Sequence, residues 1–249
     1  MPLAASSAPA GHDVAATLHQ AVQAAEALLA DAQRAVAQRV TNDGRAIART
    51  FDREQRATHG LAWLATYVEA LRQLAAYAER LAADGNFGEV EQLLVHIGAG
   101  EYLAQILGGI PMSQNEIVRL ADLGLAPSAV AARVTPAVER LIAAGNTAPR
   151  RARLAELMRQ RPEATVGTCG LDETLDSIRE EMRKFADGQV VPHAQQWHLR
   201  NHYIPLDVIA QMSELGVFSL TIPEDYGGMG LGKESMCVVS EELSRGYIG

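Results

Sequence analysis

The chain has 249 residues, 48% of them hydrophobic and 21% charged, a balance that folds and does not stay disordered. Its formal net charge of −8 excludes a strong sequence-independent hold on nucleic acid. No uninterrupted apolar run of about 18 residues occurs, and Met1 to Gly11 lacks the basic start and apolar core of a signal peptide, so a soluble cytoplasmic protein is expected. Cys169 and Cys237 are the only cysteines, too few for a disulfide framework.

The charge is uneven. Residues 171–249 hold 13 acidic and 6 basic side chains, which leaves the first 170 residues nearly neutral. There, Arg150, Arg151, Arg153, Arg159 and Arg161 form a basic run. A solvated helix face accounts for it, and docking on an acidic partner is the competing reading.

Residues 1–12 are small and Pro-containing and are expected to be disordered. From Asp13 to Val40 an Ala-rich stretch without proline predicts a helix. Thr41-Asn42-Asp43-Gly44 breaks it, and Arg45 to Ala83 is the longest continuous helical pattern. Within it Leu64, Tyr67, Leu71, Leu74, Ala78 and Leu81 recur at spacings of three and four, the stripe of a buried helix face. Asn86-Phe87-Gly88-Glu89 and Ser113-Gln114-Asn115-Glu116 both have capping-box spacing and predict helix starts. Two more helices are expected over 127–144 and 149–160, each with proline in its first turn. Residues 13–160 are therefore expected to be wholly helical. They contain no nucleophile, metal or phosphate-loop spacing, which assigns them to packing and assembly.

Residues 161–171 read as a linker from their Pro, Gly and Thr content. A helix is predicted from Asp172 to about Gln189, ended by Val191-Pro192. A polar loop follows, then a short helix over 206–215 with Gly216 closing it, an extended apolar piece over 217–222, a turn over 223–232, and a last helix over 233–245. The fold class is all-α.

Two constellations invite a chemical reading. The turn Pro223 to Gly232 is Gly-rich and precedes a helix, where a phosphate loop would sit. It fails the dinucleotide pattern at Lys233 and lacks the Gly-Lys-Ser/Thr of a P-loop. Its glycines are expected to serve a tight reversal. His198 and His202 are four apart, with His193 nearby, but no acidic or thiol partner accompanies them, so no metal site is expected.

Taken in order, the pieces of the last third are more specific than any one alone. The helix from Asp172 with its exit at Val191-Pro192-His193 resembles the first helix of the acyl-CoA dehydrogenase family, with the usual exit pattern blurred into Pro192, Ala194 and Trp197. Glu214-Leu215-Gly216-Val217-Phe218 is similar to that family's second step. Ile222-Pro223-Glu224-Asp225-Tyr226-Gly227-Gly228-Met229-Gly230 resembles its signature turn, and Ser240 to Arg245 its following helix. The resemblance covers residues 172–249 and implies the start of that family's N-terminal helical domain.

It also implies FAD, an acyl-CoA substrate, electron-transfer flavoprotein as electron acceptor, and a homo-oligomer. The chemistry is removal of an α-proton by a glutamate base with hydride transfer to the flavin. The base and the flavin-contacting stretches are expected beyond Gly249, so no catalytic or cofactor-binding residue is assigned here. The chain alone is expected to be an inactive fragment. Tyr226 and Gly227 are carried over as the margin of the acyl pocket. The extension around Gly109 to Ile117 and Ala121 to Leu125 resembles that of the (2S)-methylsuccinyl-CoA dehydrogenases, a branch of the family acting in the ethylmalonyl-CoA route. The other readings are a different short- or branched-chain member, or a non-catalytic helical interaction protein that kept a dehydrogenase segment.

Overall fold

A computed structural model describes residues 11–160 and 167–248. Most of the stretch expected to be disordered, and most of the expected linker, lie outside them. The chain divides into two compact units, one ending at Gly170 and the other starting at Leu171.

The first unit is built on α1 (Gly11–Val40), whose Val14, Leu18, Ala21, Ala25, Leu28, Ala32 and Val36 repeat at three and four residues and are all buried. The break after Val40 is a hairpin, β1 (Thr41–Asn42) against β2 (Arg45–Ala46). Asp43 and Gly44 at its tip both have positive φ, 48° and 74°, the conformation that Asp-Gly supplies in a two-residue hairpin turn. Helix is therefore deferred past Arg45. It resumes as α2 (Ala48–Arg53) and α3 (Gln55–Ala83).

α3 returns antiparallel along α1. His19 lies 3.7 Å from Glu79, Glu26 2.5 Å from Arg72, and Glu54 3.7 Å from Arg39. Pairs this exposed add little. The seam is held by burial of the predicted stripe, with Leu64, Tyr67, Leu71, Ala78 and Leu81 buried and Leu74 half-buried.

α4 (Glu89–Gly108) runs back along α3, with the Tyr67 hydroxyl donating to Gln105 at 2.6 Å. Gly88 caps it without any side-chain bond, so the Asn86 capping box is not formed. The Ser113 pattern is not a helix start either. It is the hairpin β3 (Ile110–Ser113) and β4 (Glu116–Val118), bulged between Pro111 and Ser113, which presses Ile110 and Val118 into the core. Pattern-matching fails there because Ser-x-x-Glu also fits two strands joined by a two-residue turn. The expected helix over 127–144 is split into α5 (Pro127–Ala131) and α6 (Pro136–Ala144), since Pro136 lacks the N–H a continuous helix needs. Thr135 caps α6 by accepting from the Val138 amide at 3.4 Å. α7 (Ala148–Gln160) closes the unit against α4, with Arg153 forked onto Glu89 at 2.8 Å through both nitrogens.

Glycine allows α6 to approach α4. A Cβ on Gly100 would come 2.7 Å from the Leu141 carbonyl, and one on Gly145 2.5 Å from the His96 carbonyl. Farther along, the buried Glu91 accepts from the Thr168 amide at 2.8 Å and Tyr77 donates to the Thr168 carbonyl at 2.6 Å. Burial and the nearby Glu91 charge push the Tyr77 phenol up to about 12.

Helix dominates both units, and the two short hairpins are the whole of the strand content among the described residues. No helix among them is long and apolar enough to cross a membrane. Leu71 is fully buried on the α3 stripe, so Leu71→Ala is expected to lower stability by about 2–5 kcal/mol, measured by urea denaturation followed by circular dichroism.

Candidate functional site

The second unit begins with α8 (Glu173–Phe185), capped by the Asp172 carboxylate accepting from the Leu175 amide at 2.8 Å. Val191-Pro192 does not end the helical run as predicted. A π-helical turn over Ala186–Val190 leads into α9 (Val191–Leu199), and Pro192 falls in its first turn, where a missing N–H costs nothing. The expected polar loop is therefore largely helix. α10 (Leu206–Glu214) follows and is closed by Gly216 at φ +78°. Residues 217–222 are not extended. Val217–Ser219 is a 3₁₀ turn, and the apolar run instead folds Val217 and Leu220 onto Met182 and Val239. α11 (Lys233–Gly246) packs across α8. Its inward face carries Ser235, Val238, Val239 and Glu242, while Met236 is exposed.

The Gly-rich turn is closed by its own backbone. The amides of Tyr226, Gly227, Gly228, Met229, Gly230 and Leu231 all donate to carbonyls of residues 219–224, at 2.8 to 3.2 Å. None is left to cradle a phosphate. Gly227 and Gly230 have φ of +77° and +64°, and a Cβ on Gly228 would come 2.0 Å from the Ile222 oxygen. The glycines thus serve the reversal, as their pattern suggests. Tyr226 stands on a 3₁₀ turn with 82% of its surface exposed, and open space surrounds the Cα of Gly227.

Between α8 and α11 lies a charge cluster that the sequence reading did not single out. Glu242, its side chain 3% exposed, receives a two-pronged bond from Arg183 at 2.6 and 3.1 Å and another from Arg245 at 3.0 Å. Arg245 also binds Asp187 at 2.8 Å. The Arg183 guanidinium, with Arg245 beside it, holds the Glu242 carboxyl below the usual carboxylate range despite burial. A signal existed: Glu242 follows Val238 by four and Val239 by three, which puts it on the buried face of α11.

The histidines do not assemble. His193 and His198 lie on α9, but that helix stops at Leu199 and Asn201 takes a positive φ of 52°. His202 is thereby removed from the helical register that would align it with His198. His193 packs its ring 5.7 Å from Trp197. Among the described residues no three His, Cys, Asp or Glu side chains are grouped to hold a metal ion. Cys169 and Cys237 are both free of disulfides.

Comparison with known proteins agrees with this helical arrangement. The pattern of the acyl-CoA dehydrogenase N-terminal domain matches residues 172–249. (2S)-Methylsuccinyl-CoA dehydrogenase of Cereibacter sphaeroides is 52% identical over 238 residues, 95% of this chain and 43% of that protein. Residues 172–249 belong to the acyl-CoA dehydrogenase N-terminal domain family. Glutaryl-CoA dehydrogenase of Desulfococcus multivorans is 38% identical over 78 residues, 30% of this chain and 20% of that protein. Isovaleryl-CoA dehydrogenase of Oryza sativa subsp. japonica is 41% identical over 76 residues, 30% of this chain and 18% of that protein. The chain thus spans less than half the length of each of these relatives.

Gly228→Ala is expected to disorder the turn, because the blocking atom is backbone, whereas Gly232→Ala, with nothing within 4 Å, is expected to be tolerated. Amide exchange of residues 226–231 in the two variants separates these outcomes. The depressed Glu242 carboxyl has a second consequence. It adds stability at neutral pH that is lost as pH falls from the unfolded value of about 4.3 through the lower folded value. Glu242→Gln is expected to flatten that loss, read as amide exchange of α8 and α11 between pH 6 and pH 3.

Proposed function

We propose that this chain is the N-terminal portion of an FAD-dependent acyl-CoA dehydrogenase that oxidises (2S)-methylsuccinyl-CoA to mesaconyl-CoA. The observation that carries the reading is the span of the 52% identity: it runs through the helical extension as well as the dehydrogenase segment, over 95% of the chain. The glutaryl- and isovaleryl-CoA dehydrogenases align only over 76 to 90 residues. In the proposed reaction a proton leaves the α-carbon of the thioester to a carboxylate base and the β-hydrogen leaves as hydride. FAD, when bound, supplies the hydride acceptor.

The Gly-rich turn offers a flavin no free amides, because every amide from Tyr226 to Leu231 is already spent within the turn. We therefore assign the flavin-holding groups and the base to residues beyond Gly249. Tyr226 and Gly227 are assigned to the margin of the acyl pocket, an assignment supported by the exposure of the tyrosine and the open space at the glycine. Residues 13–160 are assigned to packing and assembly of a homo-oligomer, and electron-transfer flavoprotein is the proposed electron acceptor.

The test is to express the full-length protein containing this chain and compare acyl-CoA substrates with an artificial electron acceptor. Preferred turnover of (2S)-methylsuccinyl-CoA over isovaleryl-CoA and glutaryl-CoA is expected. Preference for either of the others, or a colourless protein without turnover, overturns the reading.

A further inference from the structure

The last residues of the first unit, Gly167 to Gly170, lie as a strap against α3 and α4, held by both polar backbone groups of Thr168. The Thr168 amide donates to Glu91 at 2.8 Å, and its carbonyl accepts from the Tyr77 hydroxyl at 2.6 Å. Burial, with the Glu91 charge and Cys169 nearby, pushes the Tyr77 phenol up to about 12, so it keeps the proton it donates at neutral pH. The strap reads Gly-Thr-Cys-Gly and brings no large apolar side chain to the core. Thr168 itself is exposed.

Gly167 and Gly170 bracket the strap at φ of +77° and +65°, and without a Cβ each end turns at little steric cost. Under it, Glu91 is only 5% exposed. The Thr168 amide is its hydrogen-bond donor, and no cation among the described residues pairs with it. A carboxylate taken out of water and given one amide recovers only part of its lost hydration. Closing the strap therefore carries a cost at Glu91 that opening returns. The pairing of α3 with α4 rests elsewhere, on Leu64, Leu71, Val95, Ala99 and Leu103 in the main core.

We propose that residues 167–170 are a releasable latch: the two Thr168 bonds form and break together, while α3 and α4 stay folded. Local opening of this kind belongs to segments with few buried apolar contacts. Closed, the latch ends the first unit at Gly170, next to the Leu171 that begins the second. Open, it adds its own residues to the tether between the units, about 13 Å of extended chain. Tyr77 and Glu91 set the balance between the two states. The device lies wholly within the first unit, so it stands or falls independently of the proposed dehydrogenation.

The experiment follows amide exchange by NMR in the full chain and in three variants, Tyr77→Phe, Glu91→Ala and Leu64→Ala. Tyr77→Phe removes the bond to the Thr168 carbonyl and leaves the acceptor of the Thr168 amide in place. If the two bonds open together, exchange of the Thr168 amide nonetheless quickens about fivefold or more, while that of Val95 on α4 is unchanged. Glu91→Ala is expected to quicken Thr168 at least as much. Leu64→Ala weakens the buried core and is expected to leave Thr168 exchange unaltered, because the opening is local. An unprotected Thr168 amide in the unaltered chain, or unchanged Thr168 exchange in Tyr77→Phe, overturns the proposal. So does quickening of Val95 alongside Thr168, or equal quickening of Thr168 in Leu64→Ala. Should Glu91→Ala not fold, Tyr77→Phe, which loses a single oxygen, decides.

Discussion

The antiparallel seam between α1 and α3 is the constraint on which the first unit depends. Alanine and leucine alternate along it, so the two long helices approach closely and bury a continuous stripe from Val14 to Val40 on one side and from Ala57 to Leu81 on the other. Everything else in that unit is placed by the need to cover what the pair leaves open. α4 lies along α3 with its own apolar side inward, the β3–β4 hairpin plugs Ile110 and Val118 into the core, and α6 meets α4 where glycine permits backbone contact. Substituting Gly60 shows how tight the hairpin's fit is: a Cβ there would meet Val118 at 2.4 Å.

The second unit solves a different problem. It has two small apolar clusters, one around Met182, Leu220 and Val239 and one around Val190, Trp197 and Val208. Between α8 and α11 it also carries a buried carboxylate bound to two arginines. Replacing such a cluster with apolar side chains need not cost stability, but removing one member leaves a buried charge unpaired. The bidentate geometry of Arg183 on Glu242 fixes the register of α11 on α8, and with it the start of the Gly-rich turn that leads into α11. In that turn, six consecutive amides satisfied locally explain why a Gly-rich segment ahead of a helix is a structural reversal and not a phosphate loop.

Much of this was legible along the chain. The long helices, the buried stripe on α3, the helix start at Asp172, the Gly216 stop and the reversal at Gly227 to Gly230 follow from periodicity and from the positive φ that only glycine adopts easily. The family resemblance also resided in short ordered motifs between Asp172 and Arg245. The errors share a cause. Ser113 to Glu116 and Arg45-Ala46 carry local patterns compatible with both helix and hairpin, and Val217 to Ile222 is short enough to be read as strand or turn. At Ser113 to Glu116 and Val217 to Ile222 the choice was made by which side chains the core needed, which a local pattern does not contain; at Arg45-Ala46, both exposed, it was made by the positive-φ turn at Asp43-Gly44.

Sequence by itself thus determined the all-α class, the position of most helices and the family of the last third, because those depend on local propensity and on motif order. Tertiary structure alone decided that Pro192 continues a helical run through a π turn, that His202 leaves the register of His198, and that Arg150 is half-buried while Arg151 and Arg153 meet solvent. It also made Glu242 a buried ion instead of a surface one. These outcomes depend on what surrounds a side chain in space, and burial, which sets the energy of every charge in the molecule, is a property of the packed chain and not of any residue's neighbours in sequence.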